Sequence, residues 1–176
     1  MGIFTDRSAL LIVDMIYDFV HPLGALAVPG AEKIVPTIVA LAREARRMGI
    51  PVIHVTDSHE AGDREFELWP EHAVAGSGGS RPVAGLEPRE NDYHLEKKRY
   101  SAFFETDLKK ILLETDVEHL VITGTVTNIC VLTTSTDAVM MGFTVTIPRA
   151  GVAALNDEDQ QFAFRQIEQV LGGKVI

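Results

Sequence analysis

The sequence lacks most features of a secreted or membrane-embedded protein. Its 176 residues include a single cysteine, Cys130, so no intrachain disulfide can form, and this fits a reducing compartment. No apolar run approaches the roughly 18 residues that a membrane span needs. The N-terminal segment has no cationic start followed by a long apolar stretch, as a secretory signal would have. We therefore expect a cytoplasmic protein.

Positive charge is also scarce in the chain. Lysine and arginine number 16 and aspartate and glutamate number 25, which gives a formal net charge of −9. Binding to a phosphate backbone or to anionic lipid requires a cationic face. The charge balance therefore argues against nucleic acid and membranes as partners.

The remaining composition is that of an ordinary globular protein, with 46% hydrophobic and 23% charged residues and no internal repeat or low-complexity linker. We expect one domain over residues 1–176. Strand-like apolar runs alternate with helical patterns, which is typical of a doubly wound α/β sheet. Six strands are predicted near residues 8–14, 51–57, 92–97, 118–124, 143–147 and 173–176, and helices near 31–48, 105–115, 128–141 and 156–171.

Polar side chains follow three of the predicted strands at the points where those strands end. Asp14 follows the first strand, Asp57 and His59 follow the second, and Cys130 lies beyond the fourth. The carboxyl ends of parallel strands share one edge of a sheet, where open α/β folds bind ligands. We expect these side chains to share a crevice. The segment 58–91 is too long for an ordinary connection and is predicted to form a wall of that crevice.

Cys130 lies where an apolar strand breaks at Gly124 and a helical pattern begins. Backbone N–H groups at the start of a helix favour a thiolate and can also bind a developing oxyanion. This position is typical of a nucleophile. The alternative is that a lone cysteine serves as a small buried apolar residue.

Three ordered motifs resemble those of the isochorismatase-like cysteine hydrolase superfamily, and within it those of nicotinamidases, which are also pyrazinamidases. The motifs are Asp14-Met-Ile-Tyr-Asp-Phe19 (D-x-x-x-D-F), Lys97-Lys-Arg-Tyr-Ser-Ala-Phe103 (K-x-x-Y-S-A-F) and Gly124-Thr-Val-Thr-Asn-Ile-Cys130 (G-x-x-T-x-x-C). The resemblance covers nearly the whole chain. It implies the isochorismatase-like hydrolase fold, with a mostly parallel six-stranded sheet and helices on both faces.

The resemblance also implies a catalytic triad of Asp14, Lys97 and Cys130. Asp14 would exchange a proton with the thiol, which requires a carboxylate whose pKa is raised by burial or by substrate. Lys97 would hold Asp14 and the thiolate in their charged forms and so lower both pKa values. Lys98 is the alternative lysine, but strand alternation sends the two lysines to opposite faces and the spacing to Tyr100 favours Lys97.

The family pattern places an oxyanion site at the backbone N–H groups of Val126 and Cys130. The resemblance further implies a cis peptide between Thr125 and Val126. Two donors aimed at the attacked carbonyl would stabilise charge that appears only in the transition state.

A second group of residues has the composition of a metal site. Asp57, His59 and His72 suit one divalent transition metal, which could be Zn, Fe or Mn. Their spacing resembles the D-x-H and W-P-x-H metal motifs of nicotinamidases, in which the metal binds the pyridine nitrogen. Glu65 matches a further ligand of some family members, and its alternative is an exposed loop acid.

A pyridine ring also needs apolar walls. Phe19 and Trp69 stand next to the proposed base and metal ligands and would sandwich the substrate ring, and Tyr100 and Phe104 are candidates for the rim of the pocket. For any aromatic residue, ordinary core packing is the alternative.

The implied activity is hydrolysis of nicotinamide, and of its isostere pyrazinamide, to the acid and ammonia through a Cys130 thioester. One alternative is a related hydrolase that acts on another small carboxamide or ureido compound. Another is a catalytically silent relative that serves as an interaction protein. The resemblance implies a homodimer or homotetramer, with the apolar helix at 128–141 as a candidate contact face.

Overall fold

A parallel sheet forms the middle of the molecule in the computed structural model, which describes residues 2–176. Its strands are β1 (Ser8–Val13), β2 (Val52–Asp57), β3 (Tyr93–Lys97), β4 (His119–Thr125), β5 (Thr144–Ile147), β6 (Val152–Ala153) and β7 (Lys174–Val175). The order is β3-β2-β1-β4-β5-β7, with β6 beside the end of β4, and all pairings are parallel. The predicted doubly wound sheet is confirmed.

Five α-helices accompany the sheet: α1 (Tyr17–Val20), α2 (Ala31–Arg47), α3 (Leu108–Glu114), α4 (Leu132–Met140) and α5 (Asp157–Arg165). Two π-helical turns, Thr127–Val131 and Gln166–Val170, adjoin α4 and α5. The predicted strands and long helices are all present, whereas β6 and α1 were not predicted because elements this short carry no periodicity. Within residues 2–176, no helix combines the length and apolar character of a membrane span.

Both faces of the central strands are buried, which explains why β1 and β4 read as nearly continuous apolar runs. Every residue of β1 is buried. Ala9, Leu11 and Val13 belong to one hydrophobic cluster, whereas Leu10 and Ile12 belong to a second cluster on the opposite face. The alternation of side chains along β1 therefore divides the core into two layers.

The carboxyl ends of the strands bring charged residues together. Asp14 follows β1, and Asp57 and Lys97 are the last residues of β2 and β3. The register of these two neighbouring strands places Asp57 beside Lys97. The carboxyl ends of these strands thus place two carboxylates and an ammonium group at one edge of the sheet.

Gly124 allows β4 to approach β1 closely. Its φ is +109°, and a Cβ atom there would overlap the backbone carbonyl of Val13 on the neighbouring strand. Two residues later the chain leaves the sheet and enters the π turn that holds Cys130. The glycine of the G-x-x-T-x-x-C motif is therefore required by backbone packing.

We expect Gly124→Ala to lower the free energy of unfolding by about 2–5 kcal/mol, from positive-φ strain combined with overpacking. Gly142→Ala is a matched control because Gly142 has a φ of +95° and a Cβ atom added there would meet nothing within 4 Å; it should lose only about 1–2 kcal/mol. Urea-induced unfolding measures both. Equal losses of unfolding free energy in the two variants would show that overlap with the Val13 carbonyl adds nothing to the cost of the positive φ.

Candidate active site

Cys130 lies in the π turn between β4 and α4, with 4% of its surface exposed. The backbone N–H groups of Ile129 and Val131 both donate to the carbonyl of Val126, at 3.0 and 3.2 Å, and so fix the turn. The peptide between Thr125 and Val126 is cis, as the family resemblance implies. Val126 and Cys130, whose N–H groups form the expected oxyanion site, line the same pocket.

Lys97 carries a fully buried charge, with 1% of its surface exposed. Its Nζ lies 2.9 Å from Asp14 Oδ2 and 3.6 Å from Cys130 Sγ, and it also donates a short hydrogen bond to Asp57 Oδ1. A buried ammonium ion is tolerated only when it is paired and hydrogen-bonded. Two carboxylates satisfy that requirement here.

Asp14 is held by groups from two neighbouring strands. Its Oδ1 accepts a 2.7 Å hydrogen bond from the backbone N–H of Asp57, and its carbonyl accepts one of 3.0 Å from Thr125 Oγ1. Its backbone has a φ of +52°, a conformation uncommon outside glycine and frequent at functional sites. Asp14 Oδ2 receives no aligned hydrogen bond from the residues that the structure describes. That oxygen therefore has a lone pair available for a proton.

Burial, followed by the negative charge of Asp57, raises the pKa of Asp14 to about 7. Burial also raises the pKa of the Cys130 thiol well above its usual value, and the adjacent carboxylates add to this effect. Lys97 lowers both pKa values, as expected, but its influence is the smaller one. The net direction is upward for both pKa values because desolvation of the charged forms outweighs the ion pairing with Lys97. The resting Cys130 is therefore a thiol.

Asp57 and Lys97 are ionised. Burial acts to raise the pKa of Asp57, but the Lys97 ammonium and His59 outweigh it and the net direction is downward. Burial acts to lower the pKa of Lys97, and the charges of Asp14 and Asp57 reverse that effect and raise it well above its usual value.

Lys98, the alternative lysine, points away from this cluster. Its side chain is 52% exposed, and its Nζ lies 2.5 Å from Glu60 on the surface. Strand alternation separates the two lysines as predicted, and Lys97 is the one that contacts Asp14 and Cys130.

A second cluster lies beside the first and contains the four candidate metal ligands. One donor atom from each of Asp57, His59, Glu65 and His72 lies within 4.8 Å of the others. His59 Nε2 is 3.8 Å from Asp57 Oδ2, and His72 Nε2 is 3.9 Å from Glu65 Oε1. The structure thus brings together all four residues, including Glu65, whose side chain is only 8% exposed.

The histidines of this cluster have the hydrogen-bonding state of metal ligands. His72 Nδ1 donates to the Pro70 carbonyl at 2.7 Å, because a carbonyl can only accept. Its Nε2 is then the unprotonated nitrogen, and it faces the cluster. His59 is fully buried, yet neither of its ring nitrogens has an aligned hydrogen bond within the described chain. Buried polar atoms rarely stay unsatisfied, so the donor set fits a divalent metal ion.

The two clusters open into one small pocket, whose empty space, including the part open to solvent, is about 360 Å³. Its lining is mostly apolar and aromatic, with the thiol and three of the candidate ligands exposed to it. The lining residues are Phe19, Leu26, Asp57, Glu65, Trp69, His72, Tyr100, Val126, Ile129, Cys130 and Leu155. Phe104, the second rim candidate, is 49% exposed and does not line this pocket.

The aromatic residues of the pocket are fixed by contacts with one another and with the histidines. Trp69 Nε1 donates to Tyr100 Oη at 3.1 Å, which joins the long loop to the segment after β3. The Phe19 ring meets the His72 ring edge-on, with 5.4 Å between the centroids. Phe19, Trp69 and Tyr100 therefore all line the pocket, and their contact with a substrate ring stays a prediction.

The sequence did not point to several residues of this site. Leu26, Ile129 and Leu155 line the pocket as ordinary aliphatic residues without a motif. Asp57 was assigned to the metal set alone, whereas it also binds Lys97. The signal for that contact is the β2–β3 register, which pairs Asp57 with Lys97 and cannot be read from either strand alone.

Comparison with known proteins assigns the architecture. A family model described as Isochorismatase domain matches residues 8–176. Among curated relatives, a protein of Arabidopsis thaliana named probable inactive nicotinamidase is 35% identical over 86% of this chain and 83% of its own length.

Three solved structures share the fold. A pyrazinamidase/nicotinamidase from Streptococcus mutans has a TM-score of 0.91 at 33% identity, covering 96% of this chain and 99% of its own. A pyrazinamidase of Pyrococcus horikoshii in complex with zinc has a TM-score of 0.91 at 32% identity, with 97% and 98% covered. An N-carbamoylsarcosine amidase from Thermoplasma acidophilum has a TM-score of 0.88 at 34% identity, with 96% and 95% covered.

The raised pKa of Cys130 gives a testable pH dependence. In the folded protein, the rate of alkylation by iodoacetamide should rise about tenfold per pH unit to beyond pH 9, because only the thiolate reacts. In urea the rate should level off near the ordinary thiol pKa of about 8.5. Mass spectrometry follows this one cysteine directly. Steric protection of the thiol would slow alkylation at every pH without moving the midpoint of the pH–rate profile. A rate that levels off below pH 8 in the folded protein would contradict the raised pKa of Cys130.

Proposed function

Because the chain belongs to the isochorismatase family, we propose that it is a metal-containing cysteine amidohydrolase that converts nicotinamide to nicotinate and ammonia. Pyrazinamide would be a second substrate. The observation that carries the proposal is that Cys130 and the ligand set of Asp57, Glu65 and His72 line the same small pocket. A substrate held there can present a carboxamide to the thiol and a ring nitrogen to a metal.

The pocket walls suit a flat neutral ring. Phe19, Trp69 and Tyr100 supply aromatic surface, and Leu26 and Leu155 add aliphatic contacts. Within residues 2–176, no lysine or arginine side chain lines the pocket. Recognition of a substrate carboxylate usually uses such a cation. This lining therefore favours an uncharged aromatic carboxamide over a carboxylate-bearing substrate.

In the first half-reaction, Cys130 Sγ attacks the carboxamide carbon while its proton passes to Asp14. The carbonyl oxygen gains negative charge and accepts hydrogen bonds from the backbone N–H groups of Val126 and Cys130. Asp14 then returns the proton to the leaving nitrogen, the C–N bond breaks, and ammonia departs from a Cys130 thioester. A carboxyl group with a pKa of about 7 can both accept and release that proton near neutral pH.

In the second half-reaction, Asp14 takes a proton from water as the water attacks the thioester. The C–S bond breaks, the proton returns to sulfur, and the carboxylic acid product is released with the thiol restored. Lys97 Nζ, 3.6 Å from Sγ, stabilises the thiolate that forms transiently in both halves.

Asp57, His59, Glu65 and His72 would hold the metal ion, which can be Zn, Fe or Mn. When bound, the metal would orient the substrate ring and polarise water. The Asp57 side chain can serve both clusters, because Oδ1 binds Lys97 and Oδ2 faces His59.

The second candidate function is hydrolysis of a ureido compound, which the structural likeness to an N-carbamoylsarcosine amidase favours. N-carbamoylsarcosine carries a carboxylate. The absence of lysine and arginine from the pocket lining of the described chain speaks against that substrate class.

A catalytically silent protein is the third candidate, and one relative carries the name of a probable inactive nicotinamidase. In the present chain Lys97 contacts both Asp14 and Cys130, an Asp14 oxygen lies within 4.8 Å of Cys130 Sγ, and all three residues are buried as the chemistry requires. The intact triad supports an active enzyme.

The proposal includes a cytoplasmic homodimer or homotetramer. Met140 and Met141 at the end of α4 are 79% and 42% exposed, which is more apolar surface than a helix terminus needs. Sedimentation of the purified protein determines the assembly.

We expect purified protein to release ammonia from nicotinamide. Chelation should abolish the reaction, and Cys130→Ala should abolish it by removing the nucleophile.

Lys97→Ala should reduce kcat/KM by about a hundredfold or more, because the forming thiolate loses its buried counter-charge. Lys98→Ala is the matched control and should stay within about threefold, since exposed ion pairs contribute little. Equal losses in the two lysine variants would contradict the assigned role of Lys97.

A substrate panel separates the first two candidates. We expect kcat/KM for nicotinamide and pyrazinamide to exceed that for N-carbamoylsarcosine by at least about a hundredfold, because the pocket offers the carboxylate no cationic partner. Ammonia release under identical conditions measures all three. The reverse order of rates would keep the hydrolase and replace the nicotinamidase assignment with a ureido substrate.

A further inference from the structure

A carboxylate that no motif singled out lies directly behind the proposed metal ligands. Asp63 Oδ2 is 3.3 Å from His59 Nδ1, the ring nitrogen on the side opposite the one that faces Asp57. Both side chains are shielded from solvent, with 0% of His59 and 8% of Asp63 exposed. The two nitrogens of His59 thus face different groups: Nε2 faces the ligand cluster and Nδ1 faces Asp63.

Asp63 is itself held in place by two further groups. Its Oδ1 accepts a 2.9 Å hydrogen bond from the backbone N–H of Glu65, another proposed ligand, and so caps the short 3₁₀ turn Arg64–Glu67. Arg99 Nη1 donates to both carboxylate oxygens, at 3.1 and 3.2 Å. One side chain therefore contacts two of the four residues in the ligand cluster and is fixed from the opposite side by a cation.

We propose that Asp63 is a positioning residue that orients His59 and Glu65 for metal binding. This inference rests on the metal site of the proposed function. Asp63 Oδ2 lies within reach of the Nδ1–H proton, although the two groups are not aligned for a hydrogen bond in this structure. Acceptance of that proton on metal binding would leave Nε2 as the unprotonated nitrogen on the side of Asp57, and a carboxylate partner raises the basicity of the ring. The cap on the 3₁₀ turn directs Glu65 to the same point. His72 needs no such partner because the Pro70 carbonyl accepts from its Nδ1.

The Zn²⁺ affinity of the metal-free protein tests this role without any substrate. Titration against a competing chelator should give a dissociation constant about 10–100 times higher for Asp63→Ala than for the unchanged protein. Asp63→Asn keeps an oxygen that can accept from Nδ1 and should recover most of the affinity. Glu60→Ala is the matched control, since it removes an acid from the same loop whose side chain is 77% exposed and paired with Lys98. It should bind Zn²⁺ as the unchanged protein does.

Nitrogen NMR of His59 separates positioning from a merely structural contribution. In the Zn²⁺-loaded protein we expect a protonated Nδ1 with a hydrogen-bonded, downfield ring proton. Asp63→Ala should move that proton upfield, and Asp63→Asn should restore it in part. If the His59 resonances do not move in Asp63→Ala, Asp63 acts only as a turn cap and the proposal is overturned. A Zn²⁺ affinity of Asp63→Ala within twofold of the unchanged protein would also overturn it.

The result is distinguishable from failure of the proposed function. A protein that binds Zn²⁺ but releases no ammonia from nicotinamide overturns the substrate, and the Zn²⁺ titration still decides the role of Asp63. A protein with intact fold that binds no Zn²⁺ overturns the metal site and the role of Asp63 together.

Discussion

The buried pairing of Lys97 with Asp14 and Asp57 is the interaction on which the rest of the site depends. Three charges are removed from water at the carboxyl edge of the sheet, and none is tolerable there alone. Removing one member of such a group typically costs about 3–5 kcal/mol, because its partners remain buried and unpaired. The cluster therefore matters for the stability of the fold as well as for the chemistry of the site.

This pairing explains the protonation states on which the proposed catalysis relies. Lys97 has one positive charge to share between two carboxylates. Asp57 accepts a hydrogen bond from Lys97 and stays ionised, while the pKa of Asp14 rises to about 7 because burial and the charge of Asp57 outweigh the ammonium. Environment thus separates two chemically identical groups, one into a fixed charge and the other into a proton carrier.

Much of the fold could be predicted because its signals are local. Apolar runs such as Ala9–Val13 reveal buried strands, and the parallel arrangement places Asp14, Asp57 and Cys130 at one edge. What sequence could not provide depends on register and on loop geometry. The contact between Asp57 and Lys97 follows from the pairing of β2 with β3, and the direction of the Cys130 pKa shift follows from the depth of burial. Leu155 reaches the pocket from a loop that carries no periodic pattern.

The two oxygens of Asp57 join the nucleophile's cluster to the ligand cluster. Oδ1 binds Lys97 and Oδ2 faces His59 Nε2, while the Asp57 backbone N–H binds Asp14. A cation bound beside Oδ2 would offset part of the negative charge of the carboxylate that also pairs with Lys97. Since Asp57 raises the pKa of both Asp14 and Cys130, weakening its field lowers both. Occupancy of the ligand cluster by a metal ion would therefore be coupled electrostatically to the ease of forming the thiolate, through the one side chain that the two sets share.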